Sequence, residues 1–293
     1  MSADSSPSLE LVVVVPVRDR PELVHRAVES ILGQTPHGAA VAVVVVDDGS
    51  VEPLQAAAFG DGRVSVTRTS ASGVAAARNR GVAEAEDALC VTFLDSDDEA
   101  KPGWLGAMLA AHRSGCHFFS CGAEYRWAHG DLGFALPQPL WAGDGSPRGT
   151  FLAGTFSLRR DLFVAAGGYR DGLRHGENTE LGWRLSDELR RTGAPAAWTE
   201  EALVTVNAVR KHVAPSILLE SAVLILQHPP AALLENRTEL ANLQSVAGVA
   251  ASRLGLRGTA VQMMWGATKS QPARLRSWAR LCRAALWRWS PSP

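Results

Sequence analysis

Two stretches of the chain are apolar without alternation. Leu11-Val12-Val13-Val14-Val15 and Val41-Ala42-Val43-Val44-Val45-Val46 show no polar residue at a period of two, the pattern of strands covered on both faces in a parallel sheet. Between them, Asp19-Arg20-Pro21-Glu22 opens a helix with proline near its first position, and Leu23, Val24, Ala27, Val28 and Ile31 follow at helical spacing. This is a βαβ unit. The alternation continues with a helix predicted near 53–59, a strand over 63–67, a helix over 74–84 and an apolar strand over 89–94. It predicts a doubly wound α/β sheet, in which ligands sit beyond the carboxyl ends of the strands.

After about Pro215 the pattern changes to helical segments rich in Ala and Leu, interrupted at Pro229-Pro230 and Pro272. The expected organisation is a flexible N-terminus over 1–8, an α/β domain over 9–215 and a helical C-terminal extension over 216–293. With 293 residues, 46% of them hydrophobic, the chain can bury a large core. Its net charge of -1 provides no overall field for a polyanion, so nucleic acid is not expected as a partner. The cysteines Cys90, Cys116, Cys121 and Cys282 form no C-x-x-C pair, and Met1 to Pro7 are polar. Reduced thiols in the cytoplasm are the expectation. No apolar run has the length of a membrane span.

The strand ends are acidic. One apolar strand runs into Asp47-Asp48-Gly49-Ser50 and another into Asp95-Ser96-Asp97-Asp98. Clustered carboxylates are costly unless cations or donor groups occupy them, and a hard divalent metal bridging to phosphate oxygens would relieve them. The alternative is that these aspartates cap the turns and helices that follow. No G-x-G-x-x-G follows the first strand and no G-x-x-x-x-G-K-[ST] occurs, which disfavours a dinucleotide oxidoreductase or a P-loop enzyme. No glycine-rich basic loop follows Val15 of the kind that holds a triphosphate in nucleotidyltransferases.

The string Val44-Val45-Val46-Asp47-Asp48-Gly49-Ser50, then Ala76-Ala77-Arg78-Asn79-Arg80-Gly81, then Phe93-Leu94-Asp95-Ser96-Asp97-Asp98 resembles the nucleotide-binding half of the family 2 inverting glycosyltransferases. The likeness continues through Gly154 to Arg160 and Gly167-Gly168-Tyr169-Arg170 to the segment Gly176 to Leu185, and covers roughly residues 9 to 212. It implies a GT-A fold, a Rossmann-like and mostly parallel sheet flanked by helices. It implies a nucleotide diphosphate sugar as donor, UDP-type favoured, an unidentified acceptor, and Mn2+ or Mg2+ as cofactor. Pro16, Val17 and Arg18 would adjoin the donor, and Asp47 and Asp48 would bind its base and ribose. Asp95 of the D-x-D element would serve ribose or metal beside Ser96, and Asp97 the metal, with Asp98 a further contributor. Arg78 would reach the diphosphate or base, where its planar fork suits oxygen acceptors; on the residues alone it also reads as a helix-surface arginine.

Inverting transfer needs a carboxylate to take the acceptor proton. The family's usual E-D pair here reads Glu177-Asn178, and an amide cannot accept a proton, which leaves Glu177 or Glu180 as the candidate base. Gly176-Glu177-Asn178-Thr179-Glu180-Leu181 also resembles a segment of the retaining polypeptide N-acetylgalactosaminyltransferases, so the stereochemical outcome stays open. Asn178 keeps alive a second reading, an inactive GT-A module that binds a nucleotide sugar or a partner. His212 is a further metal candidate, against the alternative of a surface histidine beside Arg210 and Lys211. Trp104 and Trp183 occupy helical positions that suit core packing.

From Ala241 to the end there is no Asp or Glu. Over 272–289, Leu275, Trp278, Leu281, Cys282, Ala285, Leu286 and Trp289 fall on one helical face and Arg276, Arg280 and Arg283 on the other. The expectation is an amphipathic helix that touches the inner face of a membrane or a partner, against the alternative that its apolar face packs on the catalytic domain or across a homodimer.

Overall fold

A computed structural model describes residues 9–34, 38–127, 129–141, 143, 145–208 and 213–286. The chain divides into two compact units, Met1–Gly172 with Glu177–Arg210, and Leu173–Gly176 with Lys211–Pro293.

In the first unit, β1 (Leu9–Val17), β2 (Val41–Asp47), β3 (Val64–Arg68) and β4 (Ala88–Phe93) run parallel in the order β3-β2-β1-β4. The valine run of β1 is apolar throughout because the sheet is covered on both sides. Leu11, Val13 and Val15 join a core with Val24, Ala27, Val28 and Ile31 of helix α1 (Pro21–Leu32), while Val12 and Val14 face a second core with Ala75, Ala77 and Val82 of α2 (Val74–Ala83). A period of two thus hides inside an unbroken apolar string. Helix α2 lies close on the sheet: a Cβ at Gly81 would stand 2.3 Å from Cγ1 of Val14. The glycine of the Ala-Ala-Arg-Asn-Arg-Gly string is there for that contact.

Beyond β4 the sheet departs from simple parallel winding. After β5 (Glu99–Ala100) and α3 (Trp104–Arg113) come β6 (Phe118–Trp127), β7 (Leu132–Ala135), β8 (Gln138–Pro139), β9 (Arg148–Gly149) and β10 (Phe156–Arg159). Helices α4 (Arg160–Ala165) and α5 (Glu177–Thr192) precede the long β11 (Ala196–Ala208). Strand β10 is antiparallel to both β4 and β6, β11 is parallel to β6, and β5 closes antiparallel against β11. The predicted helix near 53–59 is only a 3-10 turn, Ala56–Phe59, ended by Gly60 at φ 62°. The mostly parallel α/β sheet of a GT-A fold is what the chain adopts.

Among the described residues, the second unit is built of helices: α6 (Pro215–Gln227), α7 (Ala231–Glu235), α8 (Arg237–Arg253), α9 (Arg257–Ser270) and α10 (Leu275–Leu286). Pro229-Pro230 and Pro272 fall between helices, where a missing amide donor costs nothing. Small residues let the helices approach: Ala247, Ala250, Ala251, Ala260 and Ala284 are buried with Leu219 and Met264. Among the described residues, no helix is long and apolar enough to cross a membrane.

Candidate active site

The register of β1, β2 and β4 brings both acidic clusters to one end of the sheet. Val17 stands beside Asp47, and Val14 beside Phe93. Asp47 is fully buried. Its Oδ1 accepts from the Ser50 amide at 2.8 Å and its Oδ2 from the Leu54 amide at 3.2 Å and Arg68 Nη1 at 2.7 Å. Burial pushes this carboxyl up, but the hydrogen bonds from Ser50 and Leu54 and the Arg68 charge outweigh it and hold the pKa below the ordinary value. Asp48 accepts from Thr69 Oγ1 at 2.6 Å and from the amides of Ser72 and Gly73 at 2.7 and 2.9 Å. It therefore anchors the loop that enters α2. Gly49, at φ 76°, allows this: a Cβ there would stand 2.8 Å from the Ala71 amide nitrogen.

The loop after β1 is tied to the same region. The Asp19 amide donates to Ser50 Oγ at 2.9 Å, and the Val51 amide to Asp19 Oδ1 at 2.7 Å. Pro16 and Val17 are buried here and Arg18 is exposed.

After β4, carboxylate oxygens of Asp95, Asp97 and Asp98 lie within 4.8 Å of one another. Ser96 and Asp98 are buried. The Asn207 amide, on β11, donates to Asp98 Oδ1 at 2.8 Å, and Asn207 Nδ2 donates to the Asp97 carbonyl at 2.6 Å. Arg20 Nη1 donates to Asp97 Oδ2 at 2.8 Å. Neither Asn207 nor Arg20 carries a motif; both reach the cluster through long-range pairing. The donor set is all hard oxygen, which fits Mg2+ or Mn2+ and not a thiolate-loving ion.

Arg78 joins this cluster to the start of α5. Its Nη2 donates to Asp95 Oδ1 at 2.5 Å, and its Nη1 to Glu177 Oε1 at 3.0 Å and Asn178 Oδ1 at 3.3 Å. The side chain is 1% exposed, so the helix-surface alternative does not hold. Burial works against its charge, but Asp95 and then Tyr169 and Glu177 together raise its pKa above the usual arginine value. The Tyr169 ring lies 5.2 Å from the guanidinium, and the Tyr169 hydroxyl donates to Asn178 Oδ1 at 2.8 Å. Asn79, next along α2, exchanges two 2.8 Å hydrogen bonds with the Tyr169 backbone.

Glu180, one turn into α5, is fully buried. Arg184 Nε and Nη2 donate to its two oxygens at 2.9 and 2.5 Å, and Arg170 Nη2 lies 2.8 Å from Oε1. Trp104 is fully buried and donates from Nε1 to the Gly154 carbonyl at 2.6 Å, which makes it a core residue; Trp183 is half-buried. His212 lies outside the described residues. An open depression of about 880 Å³ borders Gly49, Arg68, Thr69, Ser72 and Arg80. The Asp95 cluster and Glu177 are not among its lining residues.

The model of glycosyl transferase family 2 matches residues 12–171, which include most of β1, all of β2 to β4, both acidic clusters and Arg78. The chain belongs to glycosyl transferase family 2. Among family relatives, it is 31% identical over 191 residues to succinoglycan biosynthesis protein ExoU of Rhizobium meliloti (strain 1021), covering 59% of this chain and 54% of that protein. It is 36% identical over 103 residues to the pre-mycofactocin glycosyltransferase of Mycobacterium tuberculosis (strain ATCC 25618 / H37Rv), covering 34% of this chain and 20% of that protein. The chain thus spans about half the length of ExoU. The crystal structure of S. aureus TarS 1-349 superposes with a TM-score of 0.62 at 16% identity, covering 94% of this chain and 89% of that one. At that identity the likeness shows the shared fold.

Proposed function

We propose that this family 2 chain transfers a sugar from a nucleotide diphosphate donor to an acceptor hydroxyl in a metal-dependent, inverting reaction. The observation that carries the reading is the Arg78 fork, which holds Asp95 and Glu177 at once. It links the Asp95, Asp97 and Asp98 cluster and the carboxylate of Glu177 through one buried charge. A uridine diphosphate donor is favoured, because TarS, which shares the fold, has been solved with UDP-GlcNAc and with UDP.

Asp95 and Asp97, with Asp98 behind them, would hold Mn2+ or Mg2+, which when bound neutralises the diphosphate as it departs. Arg20, which donates to Asp97 Oδ2, would yield that oxygen where a cation took it. The Arg20 side chain is 42% exposed and that of Asp97 20%, so water screens the pair in part. Asp47 and Asp48, whose oxygens are taken up by loop donors, act on the donor by fixing the loops around it, and exposed Arg18 is the side chain at the end of β1 able to reach it.

Glu177 is assigned as the base. Arg78 contacts one of its two oxygens, and it sits at the first residue of α5. Glu180 is assigned a structural role, since both of its oxygens are held by arginines away from solvent. Asn178 cannot take a proton; in this reading it accepts from Tyr169 and Arg78 and keeps the fork aligned. The same amide favours a second reading, a module that binds nucleotide sugar without turnover. Incubation with a panel of nucleotide sugars and Mn2+, followed by assay of released nucleoside diphosphate, separates the two: release supports the transferase, and binding without release supports the module.

A further inference from the structure

Helix α10 divides into three strips at about 100° per residue. Ser277 and Ala284 are buried and Leu281 packs on the helical core. Arg276, Arg280 and Arg283 form a second strip. The third is apolar and uncovered: Leu275 is 82% exposed, Leu286 78% and Trp278 41%, with Cys282 exposed between them. The sequence expectation put Leu281 and Ala285 on the same face as these residues. The structure turns Ser277, Leu281 and Ala284 to the helical core, where the two small residues let α10 lie close, and leaves Leu275 and Leu286 outside.

Helix α9 extends the uncovered strip. Trp265, 45% exposed, meets Trp278 edge to face with ring centroids 6.3 Å apart, and Lys269 Nζ lies 5.3 Å from the Trp265 ring. Trp278 Nε1 donates to the Pro272 carbonyl at 2.8 Å, and the Arg257 guanidinium donates to the Ala285 carbonyl, so the two helices present one surface. Helices α9 and α10 carry Arg257, Lys269, Arg276, Arg280 and Arg283 and no acidic residue. Uncovered leucine and tryptophan flanked by cations of one sign match neither water nor a neutral protein face. They match the boundary of an anionic bilayer, where indole rings settle at the headgroup level and arginines meet lipid phosphates.

We infer that the α9–α10 face docks on an anionic phospholipid surface. The inference is independent of the transferase reading, since it uses none of the site residues. The test is co-sedimentation of the full chain with phosphatidylglycerol–phosphatidylcholine vesicles and with pure phosphatidylcholine vesicles, at low and moderate salt. Sedimentation with the anionic vesicles is expected, weakening with salt, with little on the neutral ones. Arg276→Ala/Arg280→Ala/Arg283→Ala should weaken it on the order of a hundredfold, three arginines each contributing near the surface. Leu275→Ser/Leu286→Ser should weaken it at every salt concentration. These side chains are exposed, so the melting temperature should be unchanged. Equal sedimentation with both vesicle types, or none, overturns the inference without needing a variant. So does a lipid-free dimer in analytical ultracentrifugation that Leu275→Ser/Leu286→Ser abolishes, which would assign the apolar strip to a second copy of the chain.

Discussion

Arg78 Nη1 donates to Glu177 Oε1 at 3.0 Å across 99 residues of sequence, and the guanidinium that makes this bond is inaccessible to solvent. Removing it leaves Glu177, 15% exposed, without its cation and Asp95, 37% exposed, to be screened by water alone, a loss of stability between the exposed and buried limits for ion pairs. Arg78→Ala should therefore lower the melting temperature clearly. Arg78→Lys keeps the charge but not the fork, and should recover part of the stability while leaving donor turnover low. Wild-type turnover in Arg78→Lys would show that the bidentate link to Asp95 and Glu177 is not needed.

The two glutamates of α5 should separate by readout. Glu177→Gln is expected to lower turnover on the order of a hundredfold or more with donor affinity nearly intact, because a base acts in the transition state. Glu180→Gln is expected to lower stability by about 3 kcal/mol, because it leaves Arg170 and Arg184 facing a neutral group. Thermal unfolding and steady-state kinetics on both variants check this; a stable, slow Glu180→Gln would exchange the two roles.

His112 links α3 to β10. Its Nδ1 faces the Cys116 carbonyl at 2.9 Å and its Nε2 faces Ser157 Oγ at 2.8 Å, an arrangement that suits a neutral ring donating from Nδ1 and accepting from the hydroxyl. Burial lowers its pKa more than the Cys116 carbonyl raises it. The unfolded chain therefore takes up a proton first, so this contribution to stability is complete above about pH 6.5 and declines as pH falls toward the lower folded value. His112→Gln should flatten the dependence of denaturant midpoint on pH just below about pH 6.5. Parallel curves for the two proteins would contradict it.

Gly81→Ala should cost about 1–3 kcal/mol, since the added methyl meets Val14 and Val46. Chemical denaturation measures it. A neutral effect would show that α2 can lift from the sheet without loss.

Much of this architecture was legible in the sequence because it depends on local pattern. The unbroken valine runs gave β1 and β2, the proline start gave α1, and the aspartates after the strands marked the end of the sheet where the clusters lie. What stayed hidden depends on pairing between distant segments. Strand β10 has four residues and no pattern that foretells its insertion, antiparallel, between β4 and β6. The burial of Arg78 follows from Asp95 and Glu177 converging on it, and the holds on Asp97 and Asp98 come from Arg20 and from Asn207 at the far end of β11. Spacing along the chain carries none of these. In α10 the hydrophobic period was right, but which strip packs was decided by Ser277 and Ala284, whose small side chains let Leu281 reach the helical core.

Calorimetric titration of UDP into the full chain, with Mn2+, with a chelator, and with Asp97→Ala in Mn2+, tests the central reading most directly. Asp97 pairs with Arg20 at the edge of the cluster, and thermal unfolding of Asp97→Ala checks that the fold is intact before its binding is read. UDP binding is expected with Mn2+ in the native chain and to vanish both with the chelator and in Asp97→Ala. Undiminished binding of UDP in a well-folded Asp97→Ala, or in chelator, would contradict a metal-held diphosphate at the Asp95, Asp97 and Asp98 cluster.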